Sequence, residues 1–155
     1  MNLSNSFKLI IAILLCQLAG IIGSLFNSFS IKTWYLSIIK PSFNPPNWLF
    51  APVWTTLFLL MGISFYLIWK NKSKTKKAIC LFIAQLTLNI LWSFFFFTLR
   101  SPFLALINII ILWMLILLTM IEFKKISKPS AYLLIPYILW VSFAVILNFF
   151  ILLLN

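Results

Sequence analysis

The sequence predicts an all-α membrane protein: one domain over residues 1–155, built as a bundle of five transmembrane helices with a long capping loop between the first and second. Three observations carry this. Only 8% of the 155 residues are charged and 64% are hydrophobic, whereas a soluble domain carries about 25% charged residues, so a water-facing surface cannot be built. The apolar residues fall in blocks of about 20, the length that crosses a hydrocarbon core as a helix. Runs such as Ile109 to Leu118 do not alternate, which argues against barrel strands. In lipid only helices and closed barrels satisfy the backbone.

The first span is placed at 7–26. Its single early lysine, Lys8, invites a signal-peptide reading. No small-residue cleavage site ends the run, and Gly20–Gly23 continues into Leu25 and Phe26, so it reads as a retained helix. Gly20 with Ser24, and Ala19 with Gly23, form small-xxx-small pairs that permit close packing, here against helices of the same chain. The connection from Asn27 to Asn47 is long for a compact bundle. Trp34, Tyr35 and Phe43 with Pro41, Pro45, Pro46 and nearby Pro52 predict an ordered cap. The second span is placed at 48–69, with Trp69 beside Lys70 as an interface anchor. The lysine run KNKSKTKK leads to a third span at 78–98. Arg100-Ser101-Pro102 leads to a fourth at 103–122, and FKKISKP to a fifth at 131–153. Pro102 and Pro129 sit where a helix starts, and Pro52 reads the same way if 47–51 is an irregular entry.

The net charge of +11 follows from topology rather than from nucleic-acid binding. Lys8, Lys70, Lys72, Lys74, Lys76, Lys77, Lys124, Lys125 and Lys128 fall on one side, and Lys32, Lys40 and Arg100 on the other. The positive-inside rule then puts the N-terminus inside and the C-terminus and first loop outside. No transit segment is visible, so a bacterial plasma membrane is the expected location.

The sequence withholds most catalytic chemistry. With no histidine, histidine bases and histidine-ligated metals are excluded. Cys16 and Cys80 lie within apolar spans and read as small core hydrophobes; no metal site is expected. Glu122, the one acidic residue, sits at a span end beside Lys124 and Lys125, as an interfacial ion pair would. No carboxylate lies mid-span, which argues against a proton-coupled transporter.

The polar residues inside spans are Gln17, Gln85, Thr87, Asn89, Ser93, Asn108, Ser142 and Asn148. Each can serve as interhelical glue. Three helical faces sharpen the choice: Gln85, Asn89, Trp92 and Phe96; Pro136, Trp140, Ala144 and Asn148; and Trp54, Phe58 and Gly62. Such faces either line a flat apolar cavity with a few orienting amides or simply pack together.

The stretch WYLSIIKPSFNPPNWLFAPVWTTLF, Trp34 to Phe58, resembles the first-loop and second-helix signature of the translocator protein family, the tryptophan-rich sensory proteins. MGISFYLIWK, QLTLNILWSFFFF, ALIN and LLIPYILWVSFAVILNFF resemble its later motifs in the same order, so the resemblance covers essentially the whole chain. It implies a five-helix bundle whose internal pocket, capped by the first loop, binds porphyrins such as protoporphyrin, or similar flat apolar ligands. A sensory or tetrapyrrole-handling role is implied, with no required cofactor, no nucleic acid and, in many members, a homodimer.

By motif position the ligand-binding residues are Trp54 and Phe58, Asn89 and Trp92, Trp140 and Ala144. Tyr35, Trp48, Phe50 and Ala51 belong to the lid and mouth, Ser24 and Asn27 to the end of the first helix, and Ile107 to the fourth-helix motif. These coincide in large part with the faces found by spacing. Two alternatives remain: light-dependent porphyrin degradation, which would use Trp54 and Trp140 with no acid–base dyad, and porphyrin or small-molecule transport. The chain departs from the family where Phe149 replaces a tyrosine and no basic residue follows, so sterol recognition by that C-terminal motif is not expected. Asn108 stands for an aspartate and Asn44 for a histidine.

Overall fold

The computed structural model describes residues 4–71 and 75–155. Helix α1 spans Asn5–Ile31 and a short α2 spans Trp34–Ser37. Helix α3 covers Asn47–Trp69 and α4 covers Lys76–Ser93, running into a π-helical turn at Phe94–Thr98. Helix α5 covers Pro102–Ile126, and α6, Lys128–Leu133, continues almost directly into α7, Ile135–Leu154. Taking α4 with its π turn and α6 with α7, five helices among the described residues are long and apolar enough to cross a membrane.

The first connection is shorter than expected. Residues 27–31 contain no glycine or proline, and both serine hydroxyls find carbonyl partners. Ser28 Oγ donates to Leu25 O, and Ser30 Oγ reaches across to Phe97 O at 2.6 Å. Helix α1 therefore runs five residues past its expected end at 26. With α2 removed as well, Lys32–Thr33 and the stretch from Ile38 to Pro46 are what remain without helix, and the prolines cluster in the latter. The expectation of a single long loop over 27–47 is corrected accordingly.

The prolines behave in two ways. Pro102 and Pro129 open helices, and Ser101 Oγ accepts from Leu104 N to cap α5. Pro52 instead lies inside α3, because the helix already begins at Asn47 behind Pro46. Pro136 falls in the first turn of α7, where its missing N–H costs little, and the α6–α7 break at Leu134 precedes it.

The core forms where inward faces meet. Phe82 is fully buried between Phe65, with ring centroids 4.7 Å apart, and Phe123, 5.7 Å away. Gly62 lies so close to α1 that an added Cβ would sit 2.7 Å from Ile13 Cα. Ala19 and Gly23 are buried, and a Cβ on Gly23 would meet Ser93 Oγ at 3.4 Å. The Ala19–Gly23 pair thus packs within the chain, whereas Ser24 of the other pair is exposed. Cys16 is in the core, but Cys80 is exposed, contrary to the expectation for it.

At one end of the bundle Glu122 pairs with Lys77 at 2.9 Å and Lys125 at 2.8 Å, tying α4 to α5. Lys124 takes no part in these two pairs. At the other end Asn155 closes a two-way bond with the backbone of Ile39, Oδ1 accepting from its N–H and Nδ2 donating to its carbonyl, both at 2.9 Å. Two of the lysines in the topology count, Lys72 and Lys74, lie outside the described residues.

Candidate ligand site

The α3 and α4 faces point inward, and the α7 face does so from Trp140 onward while Pro136 is exposed; most of their polar groups are already engaged. In α4, Asn89 Nδ2 donates to the Tyr137 hydroxyl at 3.0 Å, and that hydroxyl donates to Gln85 Oε1 at 2.9 Å. Trp92 Nε1 donates to Asn148 Oδ1 at 3.0 Å, and Asn148 Nδ2 to the Pro102 carbonyl at 2.9 Å. Asn108 Nδ2 donates to Leu88 O, and Trp113 Nε1 to Ser142 Oγ. These bonds join α4, α5 and α7. In a bilayer an unpaired amide has no water to fall back on, so buried amides at matching heights pair across helices. Interhelical glue is therefore what most in-span amides do.

The aromatic groups are arranged differently. Trp54 lies against Phe58, with centroids 5.6 Å apart, and edge-on to Tyr137 at 6.3 Å. Trp140 meets Phe50 at 6.0 Å and Phe143 at 5.6 Å. Trp92 stacks on Phe96 at 5.2 Å. Phe58 is buried, whereas Trp54, Trp92 and Trp140 are only partly so and keep uncovered ring surface. Ala144 is half-buried on the Trp140 helix.

The α2 segment packs on the π turn. Tyr35 touches Phe96 and Phe97, and Trp34 touches Phe96. A π turn accommodates an extra residue in the helix, and here the consecutive Phe96 and Phe97 are both buried. Tyr35 donates to Asn44 Oδ1 at 3.2 Å, with Lys40 Nζ 4.7 Å from its ring centroid. Burial pushes the phenol of Tyr35 above its ordinary range, keeping it a donor. Phe43 packs on Phe143 and Phe150, which fastens the non-helical stretch to α7.

Other expected site residues lie outside this constellation. Trp48 is 72% exposed, Ala51 is exposed at the same end, and Ser24 turns outward with its hydroxyl on Ile21 O. Ile107, 45% exposed, points away from the bundle because its neighbours Ala105 and Asn108 take the inward positions. Asn27 is half-buried, and its buried Oδ1 has no partner among the described residues.

Sequence reasoning missed Tyr137, the hub that joins Gln85 to Asn89. The available signal was its position one turn before Trp140 on α7. Two open apolar grooves also mark the surface, about 300 Å³ beside Trp113 and Ser142 and about 430 Å³ beside Tyr132 and Pro136. Neither is lined by Trp54, Trp92 or Trp140.

Comparison with known proteins agrees with this architecture. Residues 12–154 match the TspO/MBR family. The tryptophan-rich protein TspO of Chlorobaculum tepidum is 46% identical over 145 residues, covering 91% of each chain. That of Archaeoglobus fulgidus is 44% identical over 155 residues, covering 97% of this chain and 99% of the relative. The human translocator protein is 35% identical over 137 residues, 86% of this chain and 81% of the relative. With its five apolar helices and this match over nearly its whole length, the chain is an integral membrane protein of the TspO/MBR family.

Proposed function

We propose that the protein binds a flat apolar tetrapyrrole such as protoporphyrin between the aromatic faces of α3, α4 and α7, as a receptor or handling protein rather than as a conventional enzyme. The observation that carries the reading is the partial burial of Trp54, Trp92 and Trp140 on inward-facing helices. Uncovered indole surface is what a flat ligand stacks on, at about 0.5–1.5 kcal/mol per contact beyond area burial. Trp54 and Trp140 supply the walls, and Phe50 and Phe58 their neighbours.

The stretch from Ile38 to Pro46 would act as the lid. Its anchorage to α7 through Phe43 and Asn155 supports this, since α7 also carries Trp140. The lysine-rich end of the bundle would face the cell interior, with the lid outside, in the plasma membrane of a bacterium.

The test is thermal unfolding in detergent with added protoporphyrin IX. A ligand that binds the folded state alone stabilises it by about 2.7 kcal/mol at a hundred times its Kd, so the midpoint is expected to rise with porphyrin concentration. A midpoint independent of porphyrin would remove the proposal.

A further inference from the structure

Gln85 is 1% exposed, yet its Nε2 has no acceptor among the described residues. Its amide is not free to turn away. Oε1 is held by the Tyr137 hydroxyl at 2.9 Å, and that hydroxyl in turn accepts from Asn89 Nδ2 at 3.0 Å. Tyr137 and Asn89 are also buried. Three polar side chains thus form a fixed cluster that ends in a donor with nothing to donate to. Leaving a buried donor unmatched is unfavourable, and bulk water does not reach this depth in a bilayer.

The cluster adjoins the aromatic wall, because the Tyr137 ring stands edge-on to Trp54 at 6.3 Å. The chemistry of the missing partner follows from the surroundings. The described charged side chains lie near the helix ends, whereas Gln85 is in the middle of α4. A carboxylate there would be an uncompensated buried charge, while a neutral carbonyl needs only the N–H.

We propose that Gln85 Nε2 is a specificity contact that reads a neutral carbonyl oxygen on the ligand held against Trp54, with Tyr137 and Asn89 as positioning residues behind it. The proposal rests on the pocket reading given above. It adds a preference: among macrocycles of equal size, the one carrying a ketone on its rim binds better.

Two matched probes test it in the full-length protein in detergent: octaethylporphyrin, which has no oxygen, and oxo-octaethylchlorin, which has the same ethyl rim with one ketone. The wild type is expected to bind the ketone about tenfold more tightly, the value of one well-formed buried hydrogen bond. Gln85→Met keeps the side-chain length and should bring the ratio to about one. Tyr137→Phe frees the amide and should lower the ratio as well; it decides the matter if Gln85→Met does not fold. A wild-type ratio near one, as a resident water on Nε2 would give, overturns the proposal. So does a ratio that survives both variants. If octaethylporphyrin binds and Trp54→Ala weakens it, the pocket reading stands whatever the ratio. If neither probe binds, both fail.

Discussion

Gly62→Leu is expected to drive α1 and α3 apart and to leave little folded protein in detergent. A Cβ at position 62 would lie 2.7 Å from Ile13 Cα, 3.1 Å from Ala12 O and 3.1 Å from Ile13 N. All three atoms are backbone, so no rotamer change relieves the clash, and a whole helix must move. Overpacking of a tight core costs about 1–3 kcal/mol where side chains can yield, and more where they cannot. Gly62→Ala already places that Cβ against backbone and should cost more than this range, and leucine more still. The control is Gly23→Ala, whose Cβ would meet the Ser93 hydroxyl at an ordinary 3.4 Å; its melting midpoint should stay close to wild type. Thermal unfolding of the three variants in one detergent checks the ranking.

Phe82→Ala is the second large effect, lowering stability by about 2–3 kcal/mol. In a soluble core the change costs about 3–5 kcal/mol, as lost transfer energy plus a cavity. In a bilayer the transfer part largely falls away, because separated helices expose Phe82 to acyl chains rather than to water. What remains is dispersion lost from a void between Phe65 and Phe123, which stack on the two sides of the ring at 13° and 18°. Phe82→Leu refills most of the space and should recover about half the loss. Equal midpoints for Phe82→Ala and wild type would show that the stack is not closely packed.

The membrane class and the spans were legible because the bilayer imposes one length scale and one polarity on each helix. Helix ends were less so. Ser24 and Ser28 read as the approach to a loop, but their hydroxyls are satisfied on a helix by bonding back to the preceding turn. Pro52 looked like a helix start because Asn47 to Ala51 lacks periodicity to set a phase.

The inward faces of α3, α4 and α7 were legible from spacing of three and four. Which amides were free was not, since that depends on the relative height of separate helices. Asn89 reads as an orienting group until Tyr137 is seen to hold it. Gln85 reads as glue until one end of its amide is seen to lack a partner. Ile107 shows the limit of carrying a position over by motif: its segment matches, but its side chain faces outward.

Walls for a tetrapyrrole, as proposed for the partly covered indoles of α3 and α7, are tested most directly by the Kd of protoporphyrin IX for wild type and for the Trp54→Ala, Trp140→Ala double variant, read from the porphyrin absorption band in detergent. Loss of two stacking contacts of about 0.5–1.5 kcal/mol each predicts an affinity at least about fivefold weaker, with the variant still folded. An unchanged Kd in a folded double variant would contradict that role for the indoles.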